Sequence, residues 1–143
     1  MTAPIAVGVD GSEQSLLALD CATDEAVRRK LPLRIVHVLV SWAFDMPDGA
    51  SVAEVGEWMR ETGQKVVDDA VARAASRAPG HEVSGELVAG DPAPALLREA
   101  EGAHLVVLGS HGLGGFAGLL LGSVSHGVLH HAACPVAIVR ATS

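Results

Sequence analysis

Basic and aromatic side chains are scarce in this chain, and their scarcity limits what it can bind. Ten Lys and Arg stand against 17 Asp and Glu in 143 residues, a net charge of −7, and no lysine occurs after Lys65. Neutralising a polyphosphate backbone needs a basic patch, so no nucleic acid is expected as a partner. The same deficit argues against docking on an anionic membrane. There is no tyrosine, and only two tryptophans and two phenylalanines; Trp42 and Trp58 are therefore read as packing residues, not as a platform for stacked bases. The two cysteines, Cys21 and Cys134, lie far apart without CxxC spacing, which excludes a zinc pair or a disulfide framework and suggests buried apolar thiols. Met1-Thr2-Ala3-Pro4 carries no basic residue and so gives no secretory signal. No apolar run is long enough to span a bilayer. The expected setting is the cytoplasm.

Apolar segments are abundant, and they alternate in type. Residues 1–143 are expected to form one domain. Ile5 to Val9 is a short apolar run that ends at Asp10-Gly11-Ser12, where a turn residue is followed by a helix-capping candidate. A helix follows with Leu16, Leu19, Cys21, Ala22, Ala26 and Val27 assigned to the core, closing at Arg28, Arg29 and Lys30, whose charges suit the negative end of its dipole. Leu33 to Val40 has the near-continuous apolar character of a strand covered on both faces, interrupted by His37. Ser41 to Ser51 is a connection. Val52, Val55, Met59, Val66, Ala70, Val71 and Ala74 then recur at helical spacing until Pro79-Gly80. Asp68 and Asp69 belong to the solvated face of that helix. Glu82 to Val88 alternates polar and apolar residues as an edge strand does. A helix with Asp91 at its cap and Pro92 at its first position carries Leu96 and Leu97 inward and ends at Gly102. Leu105 to Leu108 and Val136 to Arg140 are two further strands, separated by a glycine-rich loop and a short helix opening at Gly122-Ser123 and carrying Val124, Val128, Leu129 and Ala132.

Strands separated by helices call for an α/β fold: a doubly wound five-stranded parallel sheet with right-handed crossovers and helices on both faces. If its order is 3-2-1-4-5, ligands bind where that order reverses, between the first and fourth strands. The loops opening there are Asp10 to Ser12 and Gly109 to Ser123. The second contains Gly109, Gly112, Gly114, Gly115, Gly118 and Gly122 and leads into a helix N-terminus, a geometry suited to an anion, with phosphate the obvious candidate.

Three loop chemistries compete. A Walker-type loop needs a lysine that this segment lacks. A dinucleotide fingerprint can be traced from Gly112 to Ala117, yet no acidic residue follows Glu101 to hold the ribose. The third is a resemblance: Gly109-Ser110-His111-Gly112, nine residues, then Gly122-Ser123 gives G-x2-G-x9-G-S, which resembles the nucleotide-binding motif of the universal stress protein family. The opening IAVGVDGSEQS, His37-Val38, VVLGSHG and the closing CPVAIVR resemble the same family.

That resemblance implies an ATP-binding, usually homodimeric, cytoplasmic protein. It places Asp10 at the base and ribose end of the pocket with Gly8 and Val9 lining it, Val38 on the adenine through its backbone, and Leu108, Gly109, Gly112, Gly122, Ser123, Val124 and Ser125 around ribose and phosphates. His111, inside the motif, meets a phosphate or caps the loop. The Ser123 and Ser125 hydroxyls are expected to donate to phosphate oxygens. Because Leu113 to Leu121 contains no basic side chain, binding without a lysine would rely on amides, hydroxyls, Mg2+ or His111, and weak binding, or a preference for AMP or ADP, would follow. The dimer would form through the edge strand Val136 to Arg140. A slow ATPase or nucleotide transferase, and an interaction protein with a vestigial site whose glycines serve only close packing, are the alternatives. Asp10 has a second reading as a helix cap. Ser125 lies in SVSHG, near the pattern of a nucleophile elbow, but too far from its strand and without a following acid. His126 and His130 are four apart, as zinc ligands are, but have no third ligand at useful spacing.

Overall fold

A computed structural model describes residues 3–39, 52–110 and 122–140. Nine elements alternate along the chain: β1 (Ile5–Gly8), α1 (Glu13–Arg29), β2 (Leu33–Leu39), α2 (Val52–Arg77), β3 (Val83–Ala89), α3 (Pro92–Glu101), β4 (Leu105–Gly109), α4 (Ser123–His131) and β5 (Val136–Val139). The strands form one sheet in the order β3-β2-β1-β4-β5, every pair parallel. This is the doubly wound order, with its reversal between β1 and β4. The Ser41 to Ser51 connection, Trp42, and the loop glycines from Gly112 to Gly118 lie outside the described residues.

Alternation along each strand sorts side chains onto two faces. Ile5, Val7, Val9, Leu33, Ile35, Leu105 and Val107 pack beneath α1 and α2 with Leu19, Ala22, Ala70 and Ala74. Ala6, Val36, Val106 and Leu108 pack on the other face against Leu96 and Ala100 of α3 and Val128 of α4. The short apolar runs are thus buried on both sides, and β3 and β5 are the edges.

Helix α1 begins where Ser12 caps it, its hydroxyl accepting the Ser15 N–H, and it ends where Lys30 takes a left-handed conformation and returns its N–H to Ala26 and Val27 carbonyls. Its inner face differs from the sequence expectation. Ala18 and Thr23 are buried, whereas Cys21 and Val27 are exposed. Successive residues turn by about 100°, so Cys21 points away from the face set by Ala18, Ala22 and Ala26. Thr23 is tolerated inside because its hydroxyl donates to the Leu19 carbonyl at 2.7 Å. Cys134 is only partly buried, and burial pushes its thiol pKa up.

Helix α2 buries Met59, Val67, Ala70 and Ala74; Val67 was not anticipated, and Val66 and Val71 are only partly covered. Trp58 stands 62% exposed, so it is not a packing residue; it precedes Met59, which takes the inward position. Leu129 on α4 is likewise exposed, one residue past the buried Val128. Charged side chains cross-link the elements from outside. Arg73 grips Asp20 and Arg77 grips Asp24, each through two hydrogen bonds joining α2 to α1. Arg34 on β2 ties Glu86 of β3 to Glu99 of α3. Among the described residues, no helix is long and apolar enough to cross a membrane.

Candidate functional site at the carboxyl end of the sheet

The two ends of the glycine motif meet. Gly122 donates its N–H to the Ser110 carbonyl at 2.6 Å, and the Ser125 hydroxyl donates to the Gly109 carbonyl at 2.6 Å. Helix α4 is thereby fastened by its first turn to the end of β4. Its cap is Gly122, which offers no side-chain hydrogen bond, and no acidic residue occupies the first turn. The amides of Ser123, Val124 and Ser125 have no acceptor within the helix. Added to the positive end of the helix dipole, they suit an anionic group.

Helix α1, which opens onto the same crevice, already spends one first-turn amide on its own cap and carries Glu13 in that turn. Ser12 caps it, and the Asp10 carboxylate accepts the Ser12 N–H at 2.9 Å. Asp10 is therefore not the cap of this helix. It braces the turn that leads to the cap.

The backbone register explains what Val38 offers. The Val36 carbonyl accepts the Val9 N–H, so even-numbered residues of β2 turn their peptide groups toward β1, and odd-numbered ones turn theirs toward β3, as the Leu33 N–H to Glu82 and the Gly90 N–H to Leu39 confirm. Strand β1 ends at Gly8, opposite Val36. The next even residue, Val38, consequently presents its N–H and C=O to the space past the end of β1, where no strand lies among the described residues. One donor beside one acceptor on a strand edge matches a base that carries the same pair, as adenine does.

Other expected site residues contribute less than their position suggested. The Val9 and Leu108 side chains are buried in opposite cores. Gly8 is needed for packing: a β-carbon there would stand 2.8 Å from Leu108 Cδ2 and 3.2 Å from Leu96 Cδ2. The Ser125 hydroxyl spends its proton on Gly109 and so does not donate to a phosphate as expected; a hydroxyl has only one proton to give. Ser123 is exposed at the helix start, and Val124 is partly buried against the α3/α4 face. His111 and Gly112 lie outside the described residues.

Two residues to which the sequence assigned no role at the site belong to this end of the molecule. His37 donates from Nδ1 to the Val9 carbonyl at 2.7 Å, tying β2 to the last residue before Asp10; its signal was a lone polar residue in an apolar strand. Gln14 accepts the Ser110 hydroxyl through Oε1 at 3.3 Å, a link across the crevice with no signature in the sequence. His126 and His130 place their rings 4.4 Å apart on α4. Among the described residues, no group of three or more His, Cys, Asp or Glu side chains could hold a metal.

Comparison with known proteins bears on the family and the fold. The sequence profile of the universal stress protein family matches residues 1–140. A universal stress protein of Mycolicibacterium smegmatis is 41% identical over 137 residues, covering 96% of this chain and 45% of that protein. One from Mycobacterium tuberculosis is 36% identical over 140 residues, covering 95% and 47%. The chain thus spans about half the length of the curated relatives it matches. A crystal structure of a universal stress protein family member from Burkholderia pseudomallei superposes with a TM-score of 0.77 at 33% identity, covering 98% of this chain and 97% of that one. A universal stress protein solved in complex with cAMP superposes with a TM-score of 0.70 at 26% identity, covering 99% and 100%. With the profile matching nearly its whole length, the chain belongs to the universal stress protein family.

Proposed function

We propose that this chain binds an adenine nucleotide across the carboxyl end of its sheet and acts as a nucleotide-responsive module in a stress response. The base lies on the free main-chain edge of Val38, the ribose sits near Asp10, and the phosphate meets the first turn of α4. The observation that carries this reading is the pairing of an open strand edge on β2 with an uncapped helix N-terminus at β4, separated only by β1. Neighbouring strands are about 4.8 Å apart, so the two lie roughly 10 Å from each other, a span suited to a nucleoside phosphate. The relative solved with cAMP supports an adenine ligand.

No Lys or Arg occurs from Leu105 to Val139, and a helix N-terminus supplies only about half a positive charge. AMP and ADP are therefore held at least as well as ATP, which brings Mg2+ with its outer phosphates. A second copy pairs along β5, the strand left open at the sheet edge.

Thermal unfolding with and without AMP, ADP and Mg-ATP tests the reading. Ligand at about 100 times its Kd stabilises the fold by about 2.7 kcal/mol. An unchanged transition with all three nucleotides would overturn it.

A further inference from the structure

The β1–β2 ladder ends on a bond that a side chain has taken over. Odd residues of β1 face β2: the Ile5 N–H donates to the Pro32 carbonyl and the Val9 N–H to the Val36 carbonyl, both at 2.9 Å. With Gly8 opposite Val36, Val9 comes opposite His37, and the regular parallel pattern next brings the Val38 N–H to the Val9 carbonyl. That bond is not made, although the one immediately before it is. The Val9 carbonyl accepts from His37 Nδ1 instead, at 2.7 Å. A carbonyl can only accept, so the imidazole carries a proton on Nδ1.

The geometry points to His37 as a positioning residue that keeps the Val38 N–H unspent by supplying the Val9 carbonyl from a side chain. Val9 is buried, at 4% exposure, where a carbonyl without a donor is costly. Two donors on adjacent residues of β2 compete for it, the ring of His37 and the main chain of Val38. Odd residues of β2 turn their side chains toward α1 and α2, as Leu33 and Ile35 do, so the imidazole draws the carbonyl toward that face and out of the ladder. Helix α2 confines the ring there: a β-carbon on Gly63 would stand 3.4 Å from His37 Cδ2. Without the imidazole, the Val38 N–H is the donor next in register. The strands need not approach for that bond to form, because the Val9 N–H to Val36 bond already holds them at ladder spacing; the Val9–Asp10 peptide has only to turn back into the sheet plane. That turn loosens a bond at the long end of the usual range, Asp10 N–H to Ser15 Oγ at 3.2 Å, in exchange for a regular ladder bond.

That the freed amide serves a base rests on the nucleotide reading; that His37 frees it does not. The test is His37→Leu, which keeps an apolar branch against Gly63 and removes the donor, with His37→Asn as the control whose Nδ2 can stand where Nδ1 stood. Through-hydrogen-bond scalar coupling between the Val38 amide nitrogen and the Val9 carbonyl carbon is read by NMR. Affinities for AMP and for ribose 5-phosphate, which lacks the base, are read by titration. Expected are no coupling in the parent chain, coupling in His37→Leu with roughly tenfold weaker AMP binding and unchanged ribose 5-phosphate binding, and parent-like values for His37→Asn. Absence of the coupling in folded His37→Leu overturns the inference, whatever happens to affinity. Coupling with unchanged AMP affinity, or with equal losses for both ligands, overturns the claim that the amide meets the base. A parent chain that binds no AMP defeats the function proposed above, while the coupling still decides the role of His37. If His37→Leu does not fold, the same measurements on His37→Val decide it.

Discussion

Gly109 lies against the main chain of Gln14 so closely that a β-carbon on it would stand 2.9 Å from the Gln14 carbonyl carbon and oxygen. This contact joins the last residue of β4 to the first turn of α1 across the point where strand order reverses. The obstacle is backbone, which cannot rotate away as a side chain can. Gly109→Ala is expected to destabilise the fold by about 1–3 kcal/mol through overpacking and to weaken nucleotide binding as β4 is displaced. Urea unfolding measures the first effect. A stability loss below a few tenths of a kcal/mol would show that α1 yields, and with it that the glycine is not there for packing.

The cap of α4 separates two uses of the same amides. Gly122 has φ −72° and ψ 163°, a conformation open to any L-residue, and an Asp there can accept from the helix's own second and third N–H groups. Gly122→Asp is expected to leave the unliganded fold as stable or a few tenths of a kcal/mol more stable, while its carboxylate competes with phosphate and weakens nucleotide binding by roughly tenfold or more. Unaltered affinity for AMP would place the phosphate elsewhere.

The outward edge of β5 offers a clean test of self-association. The Pro135 and Val139 carbonyls face β4, so the Ile138 N–H points away from the sheet. Ile138→Pro removes that outward donor and leaves the β4 ladder intact. If a second copy pairs along β5 as proposed, sedimentation is expected to show a folded monomer for the variant and a dimer for the parent. A variant that still sediments as a dimer would move the interface to another surface.

Acid sensitivity follows from the clamp between α1 and α2. Arg73, hydrogen-bonded to Asp20 through both its Nε and Nη2, holds that carboxyl below its ordinary value, and Arg77 does the same for Asp24. A carboxylate with a depressed folded pKa stabilises the fold above its unfolded value, about 3.9, and this contribution is lost as pH falls through the folded value. Arg73→Gln is thus expected to cost about 0.5 kcal/mol at pH 7, the size of a partly exposed pair, and to cost nothing once the pH is below the folded value of Asp20. Urea midpoints for parent and variant, measured from pH 7 down to acid, should converge at the low end. A constant gap would assign the loss to packing of the arginine stem.

Much of the architecture was legible because burial imposes a short vocabulary. Ile5 to Gly8, Leu33 to Leu39 and Leu105 to Gly109 are sandwiched between helices, so nearly every position must be apolar, and the run announces the strand. The long helix was legible through its period, although the burial of Val67 in place of Val66 shows that a stripe read by eye drifts by one residue around the turn. Cys21 and Val27 were misplaced for the same reason: hydrophobicity marks a candidate for burial, whereas the angle around the axis decides it.

Sequence alone determined the element order, the parallel sheet and the pair of loops that had to face one another, because apolar periodicity and turn chemistry are local properties. It also showed that no lysine or arginine occurs from Leu105 to Val139. Tertiary structure decided how peptide groups are spent. It left the Val38 edge open because β1 ends opposite Val36, gave Val9's carbonyl to His37, diverted Asp10 and Gly109 to two buried serines, and made Gly8 and Gly109 matters of close packing. Those allocations depend on which strands lie side by side and where each one stops, and every residue has the same peptide group, so no side-chain pattern records them.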